Sequence, residues 1–84
     1  MNTYFGYVLY SAILDKYDVG CTENLDRRIQ QHNDGMSHFT SKANDWVLKY
    51  SCAFDSRNEA LIWESSIKKK KSRKYIEFLI GSAG

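Results

Sequence analysis

The sequence contains no proline, so its loops must be read from glycine, asparagine, aspartate and serine alone. Cysteine is scarce too: Cys21 and Cys52 fit neither a zinc-ligand spacing nor a disulfide framework, and free thiols of an intracellular protein are expected. No run of about eighteen apolar residues is present, which argues against a membrane-spanning helix. The N-terminus lacks the basic-then-apolar order of a secretory signal, so a soluble, cytoplasmic protein is expected. No repeat, linker or low-complexity segment divides the chain, and residues 1–84 read as a single domain. A chain of this length buries only about two-thirds of the surface it exposes when unfolded, so its core is modest.

One stretch lacks acids. Residues 68–74, "KKKKSRK", carry six cations and no carboxylate, whereas the remainder holds six cations against ten acids. A net charge of +2 therefore divides into +6 on seven residues and −4 on the rest. Such a patch, formed by Lys68, Lys69, Lys70, Lys71, Arg73 and Lys74, is a candidate phosphate contact. A solvated helix face is the plainer explanation of the same run.

Aromatic residues are plentiful, twelve in all, and they mark the strands. "TYFGYVLYS" (3–11) is rich in aromatic and β-branched residues, and "YDVGCT" (17–22) returns beside it as a hairpin. A helix follows in "TENLDRRIQQHNDG", with Thr22 or Asn24 as its cap and Asn33 to Gly35 as its stop. "MSHFTSKAND" reads as a loop, and "WVLKYSCAF" (46–54) as a third strand. Ser56 with Glu59 forms a capping box for a helix reaching about Lys70. Ser72 offers a cap for a last helix that Gly81 would end. The order β-β-α-β-α-α predicts an α+β fold, a three-stranded antiparallel sheet flanked by helices.

Four placements are unusual for a purely structural chain. Arg28 and His32 lie i, i+4 on one helix face, beside the Leu25–Ile29 stripe. Glu64 shares a stripe with Ala60 and Ile67, where a buried carboxylate is costly unless paired or bound to a metal. Alternation along the first strand sets Phe5, Tyr7 and Leu9 on one face and Tyr4, Gly6, Val8 and Tyr10 on the other. Asp18 stands inside a strand, where aspartate is rare.

In this order and at these spacings the segments resemble the GIY-YIG nuclease family, in particular its small single-domain members. The resemblance spans roughly Tyr4 to Ile80. Phe5-Gly6-Tyr7 stands at the Gly-Ile-Tyr positions and Asp18-Val19-Gly20 at the Tyr-Ile-Gly positions. The family's arginine and histidine fall on Arg28 and His32, and its metal-binding glutamate on Glu64. The resemblance implies a divalent-metal phosphodiesterase, using Mg2+ or Mn2+, that acts on nucleic acid, with DNA as the expected substrate and structure rather than sequence as its selector. It also implies that Glu64 holds the ion, that Arg28 binds the phosphoryl oxygens, and that Tyr7, aided by His32, orients or deprotonates the attacking water. Lys68 and the basic run would hold the backbone. Both a monomer and a homodimer are compatible with the sequence.

The chain departs from the family pattern at Asp18, which replaces the second motif tyrosine, and in having no asparagine after Asn58. Asp18 could share the metal with Glu64, or pair with Arg28 or a lysine. Tyr17 could replace the missing tyrosine only if a bulge shifted the strand register. Weak nuclease activity is the expectation. The competing reading is a non-catalytic nucleic-acid-binding module on the same fold.

Overall fold

The computed structural model describes residues 3–34 and 43–83. Their elements are β1 Tyr4–Ser11, β2 Lys16–Thr22, α1 Leu25–Asn33, β3 Val47–Phe54, α2 Arg57–Lys70 and α3 Arg73–Ala83. The strands form one antiparallel sheet in the order β2-β1-β3, the α+β arrangement expected. Most of the loop expected over residues 36–45 lies outside the described residues, and residues 43–45 carry neither helix nor strand. Among the described residues no helix is long and apolar enough to cross a membrane.

The central strand β1 feeds two cores because successive side chains leave it in opposite directions. Tyr7 and Leu9 are buried with Ala43 and Trp46 on one face, where Leu25 and Ile29 of α1 cover them. Val8 is buried with Val19 and Ile67 on the other face, packed by residues of α2 and α3 such as Trp63, Ile76 and Leu79. Gly6 belongs to this second face. A Cβ there would stand 2.6 Å from Trp63 Cζ3, so glycine is what lets the indole lie directly on the strand.

β1 and β2 pair without interruption from Phe5↔Thr22 to Ser11↔Lys16. The irregularity lies on the other flank, where β1 steps from Val8↔Tyr50 to Leu9↔Leu48 and leaves Lys49 without a partner. No bulge therefore rescues Tyr17 as a replacement for the missing motif tyrosine. Tyr17 packs on the Val8 face, with its ring 4.8 Å from that of Tyr10, while Asp18 pairs with Leu9.

Each helix starts on a side-chain cap. Asn24 accepts from the Arg27 N–H (3.0 Å), Ser56 from the Glu59 N–H (3.2 Å) and Ser72 from the Tyr75 N–H (3.2 Å). The end of α1 is pinned by Asn33, whose amide donates to the Trp46 carbonyl (3.1 Å) and accepts from the Trp46 N–H (2.7 Å). The expected stop at Gly81 is corrected: α3 continues through it to Ala83. Glycine ends helices by adopting a left-handed conformation, which Gly81 does not take. That role falls instead to Lys71, with φ 46°, which closes α2 and turns the chain into α3.

Candidate functional site

The site begins with the cross-strand pair Tyr7↔Gly20. The tyrosine ring lies across β2 at this point, because Gly20 has no side chain to hold it off. A Cβ on Gly20 would overlap Tyr7 Oη and stand 2.7 Å from Cζ. Tyr7 itself is 1% exposed and wedged between α1 side chains, so it has nowhere easy to swing. Gly20→Ala is expected to cost about 1–3 kcal/mol by overpacking. In a Tyr7→Ala background the same change should cost almost nothing, and a double-mutant cycle in chemical denaturation measures the difference.

β2 is an edge strand, and a cleft of about 650 Å3 runs along it. Tyr7, Asp18, Arg28 and His32 reach this cleft from the α1 side of the sheet, and Glu64 and Lys68 from α2. The i, i+4 spacing stacks Arg28 and His32 over the phenol. Arg28 Nε donates to Tyr7 Oη (3.0 Å), and Tyr7 Oη lies 3.4 Å from His32 Nε2. Asp18 Oδ2 stands 3.4 Å from the same imidazole nitrogen. His32 is not among the partners expected for Asp18; the structure sets the two together and leaves Arg28 on Tyr7. The terminal amino groups of Arg28 make no hydrogen bond among the described residues.

Burial dominates the ionisation of this cluster and favours the neutral forms. It raises the pKa of the Tyr7 phenol, and the Arg28 guanidinium offsets only part of the rise. It raises that of the Asp18 carboxyl, against the opposing pull of Lys68 and Arg28 and with reinforcement from Glu64. It lowers that of the His32 imidazole, as does Arg28 close by. The bond to Tyr7 in turn holds Arg28 more firmly charged.

Glu64 accepts from Lys68 Nζ at 2.8 Å, and its carboxylate acts electrostatically on Tyr7, Asp18 and Arg28 across the cleft. Among the described residues no group of three or more His, Cys, Asp or Glu side chains forms a ready metal cage. The donor set nevertheless fits a hard cation of the Mg2+ kind, which takes one or two carboxylates and keeps its remaining positions for water and phosphate oxygens. Glu64 would supply the first oxygen, and Asp18 faces the same cleft.

The basic run divides at the α2–α3 corner. Lys68, Lys71 and Arg73 line the cleft, whereas Lys69, Lys70 and Lys74 do not. Lys68, Lys69 and Lys70 occupy the last turn of α2, where positive charge suits the negative end of the helix. Lys70 also sits 4.7 Å above the Tyr75 ring. Arg73 is committed within the fold: Nη2 donates to Asp15 Oδ1 (2.6 Å) and Nη1 to the Asp15 carbonyl (3.1 Å). That bond, with one from the Tyr10 hydroxyl, lowers the Asp15 pKa to about 2. Sequence reasoning missed this clamp, whose partners are 58 residues apart, and missed Cys21 and Ser72 in the cleft wall.

A protein-family model described as the GIY-YIG catalytic domain matches residues 3–76. Among solved structures, the solution NMR structure of UPF0213 protein BH0048 from Bacillus halodurans superposes with a TM-score of 0.61 at 30% sequence identity. The match covers 98% of this chain and 86% of that one. No curated protein matches the sequence.

Proposed function

The chain belongs to the GIY-YIG family, and from that membership and the cleft we propose that it is a divalent-metal-dependent nuclease that hydrolyses phosphodiester bonds in DNA. The family gives a nuclease-type fold and a nucleic-acid substrate. The observation that carries the finer reading is the Tyr7–Arg28 contact, with one side of the guanidinium fixed at 3.0 Å and the other open to the cleft. An open planar fork is suited to two oxygens of a phosphate, and its fixed Nε removes the entropy of finding that pose. Arg28 would thus bind the phosphoryl oxygens and stabilise the charge that builds on them. Tyr7 would orient the attacking water and take its proton, with His32 Nε2 placed 3.4 Å from the phenol oxygen to hold it in line. A Mg2+ or Mn2+ ion held by Glu64 would polarise the phosphate and neutralise the leaving oxygen. Lys68 and Lys71 would steer the backbone without reading bases, which favours selection by DNA structure.

In this reading residues 1–84 form one nuclease-like domain working in the cytoplasm, in keeping with the free thiols of Cys21 and Cys52. Asp18 is expected to slow the reaction, since it brings negative charge beside the phosphate and offers no hydroxyl donor. That same observation supports the second reading, a DNA-binding module without catalysis. Supercoiled plasmid incubated with the protein in Mg2+, Mn2+ or EDTA separates the two. Nicking that requires the metal supports the nuclease, whereas salt-sensitive binding with no nicking in either metal supports the module.

A further inference from the structure

We propose that a second groove on the flank of α1 holds the phosphate next to the one bound at Arg28, with Arg27 and Gln31 as its ligands. The inference rests on the functional reading in taking a DNA backbone as the occupant. The groove has a volume of about 290 Å3 and shares Cys21 and Arg28 with the catalytic cleft, so the two spaces adjoin. Its remaining wall includes Glu23, Asn24, Arg27 and Gln31.

The donors in this groove are unspent. Arg27 and Gln31 lie i, i+4 on one face of α1, and neither side chain makes a hydrogen bond or ion pair among the described residues. The groove's one acid, Glu23, lies beside Tyr4, whose phenol pKa it raises, and forms no ion pair with either arginine among the described residues. Asn24 spends its side-chain oxygen on the cap of α1. Two adjacent arginines without an acid partner stand out on a body whose charge outside residues 68–74 is −4. The chemistry they match is a singly charged phosphodiester, with a guanidinium for the charge and a neutral amide for a second oxygen. A strand would then run from Lys68 and Lys71, past Tyr7 and Arg28, to Arg27 and Gln31.

Fluorescence anisotropy with a labelled single-stranded DNA of about 20 nucleotides, in EDTA and across a salt series, tests this. Arg27→Ala is expected to weaken binding on the order of threefold and to make the salt slope shallower by about 0.7, one phosphate of a single strand. Gln31→Ala should weaken binding with an unchanged slope, because no charge is lost. Lys49→Ala, on the exposed β3 strand, should leave both unchanged. An unchanged Arg27→Ala or Gln31→Ala protein overturns the subsite, as does a Lys49→Ala loss equal to that of Arg27→Ala. Wild-type protein that binds no DNA at low salt overturns the functional reading as well. Loss at Arg27 in a protein that never nicks plasmid supports the subsite and overturns catalysis alone.

Discussion

Replacing Glu64 with alanine is expected to lower metal-dependent nicking by about three orders of magnitude while DNA binding stays intact or tightens. A metal ion at a phosphoryl group is worth several kcal/mol of transition-state stabilisation, and about 4 kcal/mol corresponds to that factor. The fold should tolerate the change. Glu64 lies at the cleft wall rather than in either core, and the Lys68 side chain it pairs with is 55% exposed. An i, i+4 pair of that kind contributes only about 0.3–0.5 kcal/mol. Two effects favour binding in the variant: Lys68 is released toward the cleft, and one negative charge leaves the neighbourhood of Asp18. Because Glu64 is one of the groups that raise the Asp18 pKa, its removal should also let Asp18 ionise more readily. Nicking rate, anisotropy and melting temperature measured together check the prediction. A Glu64→Ala protein that nicks at the wild-type rate would exclude Glu64 as the metal ligand.

The fold was largely legible because its signals are local and consistent. Aromatic and β-branched runs gave the strands to within a residue or so, Ser56 and Ser72 marked two helix starts, and of the two caps open for the first helix, Thr22 and Asn24, the structure uses Asn24. Helix ends were harder. Gly81 carried the usual stop signal but sits in α3, whereas Lys71, chemically a poor choice, makes the left-handed turn. The residues expected in the site came from the family resemblance, and helical spacing accounts only for Arg28 and His32 sharing one side. The site's connections did not follow. That Asp18 meets His32 instead of Arg28 depends on the register of β1 with β2 and on the tilt of α1, neither of which is encoded in any short segment. Arg73 shows the same limit: counted among the six cations of the candidate phosphate contact, it is held by Asp15 across the fold.

Tyr7→Phe is expected to reduce nicking by about 10²- to 10⁴-fold, the range attached to a positioned acid–base group, and to change the shape of the pH profile. The ring remains to fill the core with Leu9 and Trp46, so the loss is confined to the hydroxyl and its bond to Arg28. A bond to a charged donor is worth about 1.5–3 kcal/mol, too little to unfold the domain unless it is already marginal. In the proposed reaction Tyr7 would act as the phenolate, and burial raises the phenol pKa above its ordinary value of 10.0 by more than Arg28 lowers it. Below that pKa the phenolate fraction grows about tenfold per pH unit, so the wild-type rate should climb through the neutral and alkaline range without a plateau by pH 10. Burial shifts the His32 titration the opposite way, below its usual range, which leaves the alkaline limb to Tyr7. The variant should lack that limb. Stability carries the same signature: a pKa raised on folding contributes stability that is present below pH 10 and is lost as pH rises through the folded value. Melting temperature should therefore fall at high pH more steeply in the wild type than in Tyr7→Phe. A variant that retains the alkaline rise in rate would assign the proton transfer to another group in the cleft and leave Tyr7 as a support for Arg28.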